Sequence, residues 1–370
     1  MTLTMLAAVI VIALIFTYIN GFHDTANSIA TVVATKVLTP GQAVLLAAIT
    51  NIFGALWGTA VAATIAAGLL NMQVGADLLI RALLAATIWN LLTWWWGLPA
   101  SSSHALVGAL VGAAIASSGN DLGSVIWWQP GAHWWQGAGV VPKVILPMVM
   151  SPALGFVIGF LVMGSLYALL SWLADRQGWL HRFGRTPFVN GFFAKAQIVS
   201  ASAMGVAHGM NDAQKTMGII ALALASATTA GTLDHLPHWL SFMRIPTTGE
   251  HFVVPAWVKI LCALTMAGGT AGGGWRIIKT LGHKMVKLHP INGFAAEGSS
   301  ALVILSASML GIPVSTTHNV SASIMGVGAA KRFNAIRWSI VERMVWAWVL
   351  TLPITAALAY GVVRASRALF

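Results

Sequence analysis

Gly97-Leu98-Pro99-Ala100-Ser101-Ser102-Ser103-His104 returns later in the chain as Gly311-Ile312-Pro313-Val314-Ser315-Thr316-Thr317-His318. The order proline, hydroxyls, histidine has a local meaning. Proline ends one helix and suits the start of the next. Hydroxyl side chains cap helix N-termini. The apolar runs that follow, 104–118 and 318–330, are too short for a comfortable full span of a bilayer. Each therefore reads as the second arm of a broken helix or re-entrant hairpin.

The two copies stand 214 residues apart, and at the same offset Gly54, Gly58 and Gly112 match Gly268, Gly272 and Gly326. Such glycines let helices pack closely. Nearer the start, Phe22-His23-Asp24-Thr25-Ala26-Asn27 aligns with Met210-Asn211-Asp212-Ala213-Gln214-Lys215 at an offset of 188. The difference of 26 residues fits an extra loop within 227–257. The chain reads as three parts: a first membrane repeat with an outer Trp-rich loop (1–142), a linking helix with a basic loop (143–195), and a second repeat (196–370).

Composition fixes the surrounding medium. Of 370 residues 58% are apolar and only 8% charged. Soluble domains run near 25% charged, so this chain cannot cover a water-exposed surface. Disorder is excluded for the same reason. The single Cys262 excludes an intramolecular disulfide. A net charge of +11 without a soluble basic face does not point to nucleic acid. Apolar stretches at 3–20, 42–68, 78–97, 143–173, 196–226, 256–275, 296–312 and 338–363 complete the list of candidate segments. The first reads as a retained helix rather than a signal peptide, having no basic start and no clear cleavage site. The expected fold is an all-α polytopic membrane protein of about 10–12 segments, with broken helices or re-entrant hairpins.

Loop charge orients it. Lys36 and the clusters within 176–195, 276–287 and 331–343 hold thirteen basic residues, and Arg81, Lys143, Arg244, Lys259, Arg364 and Arg367 make six on the other face. The larger set is cytoplasmic by the positive-inside rule, which leaves both termini external. Trp127, Trp128, Trp134 and Trp135 read as an outer aromatic belt. Lys36 then lies inside while the matching loop 227–257 lies outside, so the repeats run in opposite directions, as in secondary transporters.

The hydroxyl motifs offer backbone N–H groups, side-chain hydroxyls and the positive ends of helix dipoles, a combination that binds oxyanions. Ser101, Ser102, Ser103, Ser315, Thr316 and Thr317 are the candidate substrate ligands, with Gln214 and Lys215 beside them. His104 and His318 can donate to an anion, relay protons or bond a backbone carbonyl. Asp24, Asn27, Asn211, Asp212 and Lys215 form a second constellation, near an expected Asn20-Gly21 break. Intramembrane acids and lysines mark ion or proton paths. Glu297, one turn into an apolar segment, is either a proton carrier or a helix N-terminal acid. His23, His208, His235, His238 and His251 match no zinc spacing. No nucleotide-binding motif is present, so no cofactor is expected, and any transport would be driven by an ion gradient. No orienting acid stands beside the serine–histidine pairs, which argues against a hydrolase, so no catalytic residue is assigned.

Residues 20–27, 208–215 and both hydroxyl motifs together make the chain resemble the inorganic phosphate transporter family, over 18–362. The resemblance implies ion-coupled phosphate uptake across a bacterial inner membrane by an inverted-repeat homodimer. The sodium-coupled branch carries Asn-Asp-x-x-Asn in both repeats. Here His23 replaces the first Asn and Lys215 the last, as in the bacterial low-affinity, proton-coupled branch that takes up phosphate with divalent metal. Sulfate permeation, sodium coupling and an anion channel stand as alternatives.

Overall fold

The computed structural model describes residues 1–131, 137–177, 181–234, 236–245 and 253–369. Trp134, Trp135, His235 and His251 lie outside the described residues. Among those described there are thirteen α-helices and no strands, only two isolated bridges.

The helices fall into two runs of the same order. The first is α1 (Leu3–Ala34), α2 (Pro40–Leu56), α3 (Ala60–Ala67), α4 (Ala76–Trp96), α5 (Ser102–Ser117) and α6 (Leu146–Ala174). After the short α7 (His181–Gly184) come α8 (Thr186–Thr229), α9 (Ala256–Gly272), α10 (Trp275–Lys279), α11 (Pro290–Met309), α12 (Thr316–Lys331) and α13 (Trp338–Leu369). The long helices α1 and α8 correspond, as do the broken pairs α2/α3 and α9/α10, and the hairpins α4–α5 and α11–α12.

The expected segments appear with three differences. First, α1 does not break at Asn20-Gly21 but runs straight through it. Gly21 is there for contact: a Cβ would run into the backbone carbonyl of Met266 on α9. Second, the stretch 42–68 is a pair of helices bent by 70° at Trp57-Gly58-Thr59, where Gly58 has φ +82°. Third, the stretch 256–275 is interrupted at Gly273, which has φ +68°.

By length and composition α1, α4, α13 and the continuous 141–174 stretch can each cross a bilayer, and the bent α2/α3 pair adds a fifth span. The other segments depart from that simple kind. α8 carries Asp212 and Lys215 in its interior, and α9 has only 17 residues. α5 and α12, at 16 residues each, reach about 24 Å of the roughly 30 Å hydrocarbon layer.

Each hairpin begins and ends on one face. Asn71, before α4, donates its N–H to Ser124, after α5, at 2.9 Å, so that hairpin opens and closes on one face. Arg337, after α12, donates to Met285, before α11, at 3.2 Å, closing the second in the same way. The first opens beside the end of α8, where Ser226 donates to the Val74 carbonyl at 3.1 Å. The second opens beside the end of α1, where Gly282 touches Ala30 and Ala34. These are opposite faces. Thr232 bonds Met1, and Arg367 donates to the Ala116 and Ser117 carbonyls, so both ends of the chain lie on the face where the first hairpin opens.

Packing crosses between the two runs. α2 lies along α8 and α9 along α1, while α5 lies along α13 and α12 along α6. Two apolar cores result. One includes Leu6–Phe16, Leu78–Ala86, Ala105–Ala116 and Ala213–Ala227; the other includes Ala26–Val32, Ala201–Ala207 and Ile277–Leu281. On α1 the switch falls between Phe16 and Ala26, and on α8 between Ala207 and Ala213. A polar layer fills that gap.

Candidate functional site

The N-termini of α5 and α12 meet head to head in this layer, between α1 and α8. Ser101 caps α5 by accepting the His104 N–H at 3.2 Å, and Ser315 caps α12 by accepting the His318 N–H at 3.2 Å. Both hydroxyl motifs therefore do what their sequence implies. The next two hydroxyls of each copy turn inward onto α1 and α8, and all four are buried.

The arrangement is twofold. Ser102 donates to Asp24 Oδ2 at 2.7 Å, and its counterpart Thr316 donates to Asp212 Oδ2 at 3.0 Å. The Lys215 ammonium bonds Ser103, and its counterpart Asn27 donates to Thr317 at 2.9 Å. Asn27 also reaches Thr316 at 3.1 Å, and Thr317 donates to Asp24 Oδ1 at 3.2 Å. Lys215 forms an ion pair with Asp212 one turn away and donates to the Val314 carbonyl at 3.3 Å.

Departures from symmetry set the electrostatics. Asp212 has Lys215 and, 3.1 Å away, His208 Nε2. Asp24 has only His23, whose Nδ1 lies 2.8 Å from Oδ1 and whose Nε2 meets Thr93 at 3.1 Å. Two buried carboxylates thus face one permanent cation. Donor atoms of Asp24, His208 and Asp212 lie within 4.8 Å of one another, close enough to hold one cation. The Lys215 ammonium already occupies one side of Asp212.

His104 and His318 face each other with ring centroids 4.9 Å apart, and Trp348 stacks on His318 at 4.4 Å. Both rings are fully buried, and none of their nitrogens bonds to the protein. Neither histidine bonds a backbone carbonyl through its ring.

Three expected residues sit elsewhere. Gln214 turns away from the hydroxyls to the break between α2 and α3. Its Oε1 accepts from Val61 N at 2.9 Å, and its Nε2 donates to the Trp57 carbonyl at 3.1 Å. Thr59, the residue before α3, offers no side-chain cap, so Gln214 supplies the cap from another helix. Asn211 commits its amide to Ser308 at 2.8 Å. Glu297 lies two turns inside α11, not at its N-terminus. It accepts hydrogen bonds from Ser200 at 2.6 Å, Gln197 at 3.4 Å and Thr31. Thr31 stands about 10 Å further along α1 than Asp24, so this carboxyl is a separate polar station nearer the basic face.

The sequence names His208 as an unmatched metal ligand and as the first residue of the 208–215 motif, without the role beside Asp212 that the structure gives it. Its spacing of four residues from Asp212, one helical turn, was the available signal. Asn51, which meets His208 Nδ1 at 3.1 Å and donates to Thr270 at 2.9 Å, carried no signal in the sequence.

The phosphate transporter family matches residues 20–359. A probable low-affinity inorganic phosphate transporter of Rhizobium meliloti (strain 1021) is 43% identical over 355 residues, covering 95% of this chain and 93% of that protein. One from Bacillus subtilis (strain 168) is 40% identical over 357 residues, with 95% and 93% covered. A solved structure described as the sodium-dependent phosphate transporter superposes over all of both chains with a TM-score of 0.78 at 23% identity, a likeness of fold. The family match takes in both Asp motifs and both hydroxyl motifs, and with those relatives it establishes that this chain belongs to the phosphate transporter family.

Proposed function

We propose that the chain carries inorganic phosphate across the membrane as a proton symporter. Phosphate transport follows from family membership and from the relatives named above. The coupling rests on one observation: Asp24 is a buried carboxylate with no fixed cation, while Asp212 is paired with Lys215. The four inward hydroxyls, two helix N-termini and the Lys215 ammonium form the anion cradle. A phosphate entering it meets the excess negative charge of Asp24, and charges repel strongly where water is scarce. A proton on Asp24 removes that repulsion and turns the carboxyl into a donor. His104, His318 and Glu297 are further stations for protons. A divalent metal arriving with phosphate would do the same for Asp24 as part of the cargo, with His208 and Asp212 as its other ligands.

The larger basic set marks the cytoplasmic side, both termini are external, and a homodimer is the assembly implied by the resemblance. The two inverted repeats are residues 1–142 and 196–370, joined by 143–195. α6, within the join, packs on α12 as α13 packs on α5.

Uptake of radiolabelled phosphate into proteoliposomes tests the reading, with imposed proton or sodium gradients and with or without magnesium. Uptake should rise with an inward proton gradient and ignore sodium. Sodium-driven, pH-insensitive uptake would overturn proton coupling. A magnesium requirement would make the metal a co-substrate.

A further inference from the structure

The two hairpin tips are flanked by crevices in equivalent positions, and the two differ in chemistry. Beside Leu310, Ile312 and Val314 of the second tip, a groove of about 380 Å³ between α11 and α6 is lined almost wholly by apolar side chains. Beside Gly97 and Leu98 of the first tip, a cavity of about 280 Å³ lies between α4, α10 and α13. Its wall carries Arg276, Lys279, Lys284 and Arg343 and no carboxylate.

Arg276 is held in place: it donates to the Trp95 carbonyl at 2.6 Å and lies over the rings of Trp94 and Trp95 at 5.1 and 4.6 Å. Thr280 ties the same wall to the tip, donating to the Gly97 carbonyl at 3.1 Å. Among the described residues, neither Lys279, Lys284 nor Arg343 forms an ion pair. Four cations around one concave volume repel one another and focus a positive potential that an anion relieves. Arg and Lys together, one fixed by stacking and others on flexible stems, suit the oxygens of a phosphate group.

We propose that this crevice binds a phosphate-bearing anion at a site distinct from the hydroxyl cradle. Two sources share that chemistry: inorganic phosphate on its way between the cradle and the basic face, and the headgroup of an anionic phospholipid of that leaflet. The inference rests on the crevice alone and does not require the transport reading.

The test uses the whole protein in nanodiscs. The charge-removing variant carries Lys279→Gln, Lys284→Gln and Arg343→Gln, leaving the anchored Arg276 in place. A charge-keeping control carries Lys279→Arg, Lys284→Arg and Arg343→Lys. In phosphatidylcholine discs, a phosphate occupant gives the wild type two classes of radiolabelled phosphate binding. One of them should weaken about tenfold or more in the Gln variant and persist in the control. A lipid occupant instead leaves phosphate binding equal in all three proteins. Native mass spectrometry then finds phosphatidylglycerol retained on the wild type and the control but lost from the Gln variant. Equal phosphate binding together with equal lipid retention would overturn the proposal. Because the readout is the difference between these variants, absence of phosphate transport would leave it intact.

Discussion

Lys215 stands where the first half has Asn27, and that one exchange organises the site. Its ammonium bridges Asp212 to Ser103, joining α8 to the N-terminus of α5. Under the proposed proton coupling, this fixed cation takes the place of a mobile one. Lys215→Asn restores Asn-Asp-x-x-Asn from Asn211 onward and leaves Asp212 buried without its partner. Loss of one member of a buried pair costs roughly 3–5 kcal/mol unless another cation replaces it. Phosphate uptake by Lys215→Asn should therefore fall, and the remaining uptake should become sodium-sensitive. Sodium should also raise the melting temperature of this variant and not that of the wild type. A variant indifferent to sodium in both measurements would show that the lysine does not stand in for an ion. Asp24, Ser102, Asp212 and Thr316 were legible in the sequence because each belongs to a motif that occurs twice. Gln197, Ser200 and Thr31 around Glu297 were not. Their meeting depends on which faces of α1, α8 and α11 come together, and no local pattern encodes that.

At the scale of elements, the breaks matter as much as the helices. The end of α2 and the start of α3 leave backbone groups without helical partners inside the protein, and Gln214 satisfies groups on both sides. Gln214→Leu keeps the bulk and removes the bonds. Each buried group left unpaired costs about 1–3 kcal/mol. The variant should melt several degrees lower in detergent while the KM for phosphate stays unchanged. A raised KM at unchanged melting temperature would return Gln214 to the substrate site. The hairpins were legible because proline, hydroxyl and histidine announce a helix start after a stop. The continuity of α1 through Asn20-Gly21 was not. A glycine that opens a turn and one that admits a neighbouring backbone look alike until the neighbour, here Met266, is known.

For the whole molecule, charge and contacts agree on two faces. Both ends of the chain lie where the first hairpin opens, while Lys284 and Lys287, before α11, and Arg337, after α12, line one cavity at the opening of the second. Single cysteines introduced on a Cys262→Ser background report which face is which. Lys287→Cys and Arg337→Cys should resist an impermeant thiol reagent added to intact cells, and Arg244→Cys should react. The reverse pattern would invert the orientation. The duplication and the charge bias were legible in the sequence. The exchange of partners between the halves was not, because a repeat specifies matching helices without saying whose surface each one covers.

That exchange has a consequence for how the protein is made. Asp24 is bonded to Thr317, 293 residues further on, and Asn27 to the same side chain. At a synthesis rate of about 5–20 residues per second, roughly 15–60 s separate the appearance of the two partners. Through that interval Asn27 lacks the hydroxyls it bonds, Asp24 has only Ser102 and His23 of its own half, and α2 and α5 await the surfaces of α8 and α13. The newborn first half therefore cannot settle as a finished unit. Its polar layer is complete only once the later helices have been made and the two halves close on each other.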